Sequence, residues 1–213
     1  MIISYIGKER CDIIYNLVKI GVNAGKRILV IDNSMTHDMF SLFEKNDGGD
    51  MQALGNLTIC KDYKLGNKAQ EFDCVYLYEG IAPRYDGKRD IQILAPGCEN
   101  TEIKQIRTYL DELKENGVVL PENGVVLPEN TYVIERDKVN RKITAKTLST
   151  LLNVNTSNCL EMEFDIKDYS AYVCLTHNMR ASAAVSTQMY EVIETLATVI
   201  YSTNAKMLKK LMR

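Results

Sequence analysis

Ile2-Ile-Ser-Tyr-Ile6, then Cys11 to Ala24, then Lys26-Arg-Ile-Leu-Val-Ile-Asp-Asn-Ser34: these pieces at the head of the chain read strand, helix, strand, and their reading decides the fold. Apolar or small residues in the middle piece fall at Ile13, Ile14, Leu17, Val18, Gly21 and Ala24, the spacing of one helical face. Both flanking pieces are short β-branched runs without polar alternation, as in strands buried on both faces of a parallel sheet. Gly25 stands where a helix C-terminus favours a residue tolerant of positive φ, and Lys26-Arg27 lie beside the negative end of the helix dipole. The crossover has a start, a stop and a return strand, which makes it a βαβ unit.

The turn between first strand and first helix is where free N–H groups and the helix dipole converge on a phosphate in proteins built this way. Here it is Gly7-Lys8-Glu9-Arg10-Cys11-Asp12. A P-loop needs glycines that wrap the phosphates, a Lys that reaches their oxygens, and a Ser or Thr on the magnesium ion. This turn keeps one glycine and one lysine, sets Glu9 where an anion would sit, and puts Asp12 in the first helical turn. It reads as a phosphate site that has been lost.

The order and wording of these pieces resemble the ParA/MinD group of P-loop proteins. Their N-terminus runs strand, Lys-Gly-Gly-x-Gly-Lys-Thr loop, a helix containing Asn-Leu, then Arg-Val-Leu-Leu-Ile-Asp-x-Asp. Asn16-Leu17 and Arg27-Ile-Leu-Val-Ile-Asp32 match. Counting back from Asn16-Leu17, Arg10 replaces the P-loop lysine and Cys11 and Asp12 replace the hydroxyl residues; Ser34 replaces the second aspartate. The resemblance therefore implies a degenerate nucleotide site made of Gly7, Lys8, Arg10, Cys11 and Asp32. Each has a plainer reading: a tight turn for Gly7-Lys8, a structural thiol for Cys11, a loop cap for Asp32 and solvated charges for Arg10 and Arg84. His37 and His177 stand alone, so neither a metal site nor a His-based catalytic set has support.

At 213 residues, 46% hydrophobic and 25% charged, the chain has enough core for one ordinary α/β domain. A formal net charge of -2 argues against a general nucleic-acid binder. No signal peptide and no transmembrane stretch is visible, and the six cysteines never fall at Cys-x-x-Cys spacing, so a reduced, cytoplasmic protein is expected.

Beyond Ser34, a short helix is expected over Asp38 to Glu44 with Met39, Leu42 and Phe43 inward, then a loop at Asn46-Asp-Gly-Gly-Asp50 and a minor strand at Leu57-Thr-Ile-Cys60. Cys74-Val-Tyr-Leu-Tyr78 is a stronger strand; the resemblance makes it the second acidic strand, with Tyr78 replacing the aspartate that holds magnesium through water. Ile91-Gln-Ile-Leu-Ala95 leads to a helix from Thr101, as N-cap, to Asn116, with Ile103, Ile106, Leu110 and Leu113 on its apolar face. Glu115-Asn-Gly-Val-Val-Leu-Pro121 then repeats word for word as Glu122-Asn-Gly-Val-Val-Leu-Pro128, too short for a solenoid, and one copy is expected to bulge as a loop. Thr131-Tyr-Val-Ile134 and Cys159-Leu-Glu-Met162 read as strands flanking a helix from Thr144 to Leu152. Phe164-Asp-Ile-Lys-Asp-Tyr169 resembles the family's loop after the last strand, and two helical pieces follow, Ala181 to Tyr201 and Asn204 to Arg213. A second resemblance, to response-regulator receiver domains, puts Tyr78 where the phosphorylated aspartate belongs, but leaves the first strand and helix and the rest of the chain unexplained.

The expected fold is a doubly wound α/β domain over 1–202: a mostly parallel central sheet, helices on both faces, three-layered and Rossmann-like. The tail, 203–213, is a basic amphipathic helix, with Met207, Leu208, Leu211 and Met212 on one side and Lys206, Lys209, Lys210 and Arg213 on the other. It reads either as a terminal helix packed on the domain or, by resemblance to the end of MinD, as a segment lying on anionic membrane. The resemblance implies a catalytically inactive scaffold or positioning protein for a membrane-associated bacterial machine, akin to the TadZ/CpaE group. It would need no cofactor, form a homodimer, bind protein partners and no specific nucleic acid, and lie in the cytoplasm, peripherally on the inner membrane face. The alternatives are an ATP- and Mg-dependent dimerisation switch with a non-standard loop, and a soluble assembly subunit or pseudo-receiver.

Overall fold

Apolar runs pair side by side in the centre of the molecule, and their register sets where every loop emerges. The computed structural model of the protein describes residues 1–43, 49–62, 64–81, 83, 87–97, 99–115, 130–138, 142–154, 156–177 and 185–212. In chain order these form β1 (Ile2–Gly7), α1 (Asp12–Asn23), β2 (Ile28–Asp32), α2 (Asp38–Ser41), β3 (Met51–Leu54), β4 (Leu57–Lys61), a 3-10 turn (Asn67–Glu71), β5 (Cys74–Tyr78), β6 (Ile91–Ala95), α3 (Asn100–Glu115), β7 (Thr131–Lys138), α4 (Ala145–Leu151), β8 (Cys159–Glu163), α5 (Ile166–Thr176), α6 (Thr187–Tyr201) and α7 (Ala205–Leu211). The sheet is eight-stranded in the order β3-β4-β2-β5-β1-β6-β7-β8. Every pair is parallel except the β3–β4 hairpin at one edge. This is the doubly wound α/β architecture expected from the first 34 residues.

Helices cover both faces because each central strand is apolar on both. On one face, Ile3, Tyr5, Val30, Tyr76 and Ile93 meet Ile13, Ile14 and Leu17 of α1, Val192, Ile193 and Leu196 of α6, and Leu208 of α7. On the other, Ile6, Leu94 and Val133 meet Ile103, Ile106 and Leu110 of α3 and Leu148 and Leu152 of the α4 segment. Leu29, Ile31, Val75 and Leu77 continue that second face under Leu65, Ala69 and Phe72. Gly21 of α1 is held close: a Cβ there would lie 2.4 Å from both the Ile28 side chain and the Tyr201 hydroxyl.

The structure departs from the sequence reading in several places. β3 is an unexpected antiparallel strand, turned back by Gly55 in the left-handed region (φ 62°). β7 runs on to Lys138, because its charged end is held by Lys138, which pairs with Glu135 and Glu161. The stretch expected to be a loop at Phe164 to Tyr169 contains the start of α5, since Asp165 accepts the Lys167 N–H at 2.7 Å and caps the helix. α2 stops at Ser41, and Met39 and Phe40 are its buried residues. Ala24 is exposed, and Thr101 lies within α3 instead of capping it. The tandem repeat over 116–129, the loop over 46–48, Arg84, the Leu113 side chain, the start of the Ala181 helix and Arg213 lie outside the described residues.

Candidate functional site

The C-terminal ends of β1, β5, β6 and β7 converge on the turn that enters α1, the edge where parallel α/β sheets place their sites. Gly7 makes this approach possible. Its N–H donates to the Gly80 carbonyl at 2.8 Å, and a Cβ there would lie 2.1 Å from the Ala95 carbonyl oxygen. The Lys8 N–H donates to that same Ala95 carbonyl at 3.0 Å. The Arg10 N–H donates to the Lys8 carbonyl at 2.8 Å, and the Cys11 N–H to the Asp38 carboxylate at 3.0 Å.

Asp12, in the first turn of α1, is the centre of the site. Arg136, at the end of β7, is fully buried and places Nη2 2.7 and 2.9 Å from the two carboxylate oxygens of Asp12. Its Nη1 donates to the Tyr5 hydroxyl at 2.8 Å and to the Arg10 carbonyl at 2.9 Å. Arg10, only 5% exposed, donates from Nε to Asp12 at 2.9 Å and from Nη1 to Asp137 at 2.9 Å. Lys8 lies 3.3 Å from the other Asp137 oxygen. The Arg10 guanidinium also sits over the rings of Tyr169 and Tyr172, 5.7 and 5.5 Å from their centroids. Cations and carboxylates thus alternate along a chain that runs inward from the part-exposed Lys8 through Asp137, Arg10 and Asp12 to the fully buried Arg136.

Protonation follows this arrangement. Burial would raise the Asp137 carboxyl, but Arg10, Arg136 and Lys8 overcome it and hold the group below its ordinary range. Burial pushes the Tyr5 phenol up to about 12, Arg136 opposing. Burial, and then Asp38, push the Cys11 thiol far above its ordinary range, so it stays a neutral structural thiol. Tyr78 is buried and its phenol is raised by desolvation.

Several sequence expectations are corrected here. Arg10 is a buried ion-pair member rather than a solvated charge. Glu9 does not face the turn's anion position: its carboxylate accepts the Met35 and Thr36 N–H groups at 2.9 and 3.1 Å, tying this turn to the loop after β2. Asp12 is neutralised by two guanidiniums, so it is not an uncompensated charge. Asp32 is a buried loop cap that accepts from the Ser34 N–H and hydroxyl at 3.1 and 2.6 Å and from the Phe40 N–H at 2.8 Å; burial raises its carboxyl. His37 is not alone: it lies 3.1 Å from the Asp32 carbonyl and 3.1 Å from Asp62. The structure therefore brings Gly7, Lys8, Arg10 and Cys11 together and leaves Asp32 to the neighbouring loop.

Sequence reasoning missed Arg136, Asp137, Asp38 and Tyr172, whose hydroxyl donates to Asp38 at 3.0 Å. The signal for the first two was present. Glu135-Arg-Asp-Lys138 puts four charges directly after the apolar run Tyr132 to Ile134, and a strand's C-terminal end faces the site edge in this architecture. Among the described residues no group of three or more His, Cys, Asp or Glu could hold a metal ion.

The tail does not stand apart. Leu208 is fully buried, Leu211 and Met212 pack on the core, and the α1 side chains of Lys19 and Asn23 donate to the Met212 and Leu211 carbonyls at 2.9 and 2.6 Å. Lys206, Lys209 and Lys210 face solvent, and Met207 is exposed.

The fold is similar to that of ParA/MinD ATPases, which the chain matches in three dimensions along most of its length. MinD of Aquifex aeolicus superposes with a TM-score of 0.58 at 12% identity, covering 92% of this chain and 96% of that one. A plasmid partition protein of Borrelia burgdorferi B31, solved bound to AMPPNP, gives 0.57 at 12% identity over 94% and 98%. A ParA-family ATPase of Chlorobium tepidum TLS gives 0.54 at 11% identity over 92% and 98%. No protein-family model matches the chain, and no curated protein does.

Proposed function

We propose that this chain is a ParA/MinD-type scaffold that does not turn over nucleotide and that helps position a membrane-associated bacterial machine of the pilus, secretion or conjugation kind. The Asp12 carboxylate held between Arg10 and Arg136 carries the reading. In a P-loop the cations of this turn face phosphate oxygens. Here Arg10 and Arg136 face the chain's own carboxylate, Lys8 faces Asp137, and the Lys8, Arg10 and Cys11 N–H groups already have acceptors. Such residues do not fit magnesium triphosphate. To admit one, the buried pairs would have to separate, at several kcal/mol of order for each ion left uncompensated.

A site whose charges are balanced internally can meet another surface without a ligand, which supports a homodimer independent of nucleotide. The tail supports a peripheral place at the inner membrane face through charge alone. Its apolar side is engaged by α1, so Lys206, Lys209 and Lys210 are what it offers to anionic headgroups. Among the described residues no helix is long and apolar enough to cross a membrane.

The test of the scaffold reading is ATP turnover. Purified chain, with magnesium and with or without vesicles or DNA as stimulants, is expected to release phosphate at the buffer rate. Protein-dependent release that disappears in an Arg10→Ala variant would establish the switch reading instead.

A further inference from the structure

The helix α5 turns the wrong kind of side chain to solvent. Its buried residue is Asp168, whose carboxylate accepts the Ser186 N–H at 2.7 Å and the Ser186 hydroxyl at 2.5 Å. Tyr172 is the α5 side chain that packs on the large core cluster among the described residues. Beside them Ile166 is 66% exposed, Tyr169 44%, and Phe164, just ahead of the helix, 47%. The Phe164 and Tyr169 rings form a tilted pair with centroids 6.1 Å apart. Ile166 and Tyr169, three apart, share one helix face with Val173 at the next turn. Residues of this size are mostly interior, and a contiguous exposed cluster of them marks an interaction surface.

The rim of the cluster indicates the occupant. Glu163 and Lys167 flank it, both exposed, and neither carboxylate nor ammonium has an ion-pair partner among the described residues. A patch that carries both signs around an apolar centre is complementary to itself. A two-fold axis through Ile166 sets Lys167 of one copy against Glu163 of the other, twice over. We propose that Phe164, Ile166 and Tyr169, rimmed by Glu163 and Lys167, form the face on which a second copy of this chain docks in an isologous dimer. The inference rests on the homodimer of the scaffold reading and names its surface. Tyr169 also covers Arg10, so the contact closes over the middle member of the ion-pair chain.

Sedimentation equilibrium of the full chain at micromolar concentration, with and without ATP, tests it. Wild type is expected to be dimeric in both conditions. Ile166→Asp, at an exposed position, is expected to weaken association at least tenfold with unchanged circular dichroism. Lys167→Glu and Glu163→Lys should each weaken it, because each pairs like charges across the axis. An equimolar mixture of the two should dimerise like wild type, because both opposite-charge pairs reappear in the heterodimer. A wild-type dimer indifferent to Ile166→Asp, or charge reversals that fail to rescue one another, overturns the α5 face and leaves nucleotide-free pairing standing. A monomeric wild type overturns both the face and the pairing, while the absence of nucleotide turnover is decided separately by phosphate release.

Discussion

Arg136 and Asp12 lie 124 positions apart in sequence and meet as an ion pair, with one guanidinium nitrogen 2.7 and 2.9 Å from the two carboxylate oxygens, both residues in the interior. β7 delivers the first and α1 the second, so the pair clamps the N-terminus of α1 to the middle of the sheet. Removing one member breaks a buried pair, leaving Asp12 with Arg10 or Arg136 with the Tyr5 hydroxyl and the Arg10 carbonyl, and costs at most about 3–5 kcal/mol. Asp12→Ala and Arg136→Met should each lower stability by that order in urea unfolding. The Asp12→Ala/Arg136→Met double variant should lose at least ~1 kcal/mol less than the two singles summed. Additive losses would mean that the pair is not coupled.

Acid should weaken the protein through the same cluster. The folded-state pKa of Asp137 is depressed by its three cations, so its contribution is complete above the unfolded value of about 3.9 and is lost as pH falls through and below it. Glu161, held down by Lys138, has the same sign. Asp32, raised by burial, has the opposite one, its contribution fading as pH rises above about 4. The urea midpoint of the wild type should fall as pH is lowered below about 4, and that of Asp137→Asn should fall less steeply. Parallel acid limbs in the two proteins would remove Asp137 from the account.

Gly7 should tolerate no side chain, because the atom it would meet is a backbone carbonyl that cannot swing away. Gly7→Ala should cost about 2–3 kcal/mol. Gly66→Ala, with open space at the Cβ and an extended backbone, should stay within about 0.5 kcal/mol of wild type. Equal effects in the two variants would show that the turn yields.

The tail can be tested for packing and charge at once. Leu208→Ala should cost about 2–5 kcal/mol as a core truncation. On vesicles with anionic lipid, three exposed lysines at ~1 kcal/mol each give only weak, salt-sensitive binding for one copy, reinforced in a dimer. Co-sedimentation should therefore fall away by roughly 0.5 M salt, where the Debye length is far below its value of about 8 Å at physiological ionic strength. It should also vanish when the chain ends at Ala205. Pelleting that survives salt would point to inserted apolar residues, against the docked Leu208.

The sheet was legible because its signal is local. Ile28 to Ile31 and Cys74 to Tyr78 are apolar on consecutive positions, as is Ile91 to Ala95 but for Gln92, and only a strand covered on both faces needs that. β3 was not, since Met51-Gln-Ala-Leu54 alternates weakly and forms by pairing with β4. The α5 start was missed because a family likeness suggested a loop where Asp165 supplies a cap. At the site, the turn's departure from a P-loop could be read directly, but what replaces the phosphate could not. Arg136 reaches Asp12 only through the register of β7 beside β6, a tertiary fact that no local spacing carries. Charge repulsion by Asp12, the natural reading of the turn alone, therefore gives way to neutralisation.

The central claim is that Asp12 takes the place of a bound anion at this turn, and calorimetric titration of the wild-type chain with ATP and magnesium tests it most directly. The account predicts no heat of binding at ligand concentrations up to the millimolar range, for ATP and ADP alike. Magnesium-dependent binding of ATP at micromolar concentration would contradict it, because it would require Arg10 and Arg136 to leave Asp12 for a phosphate.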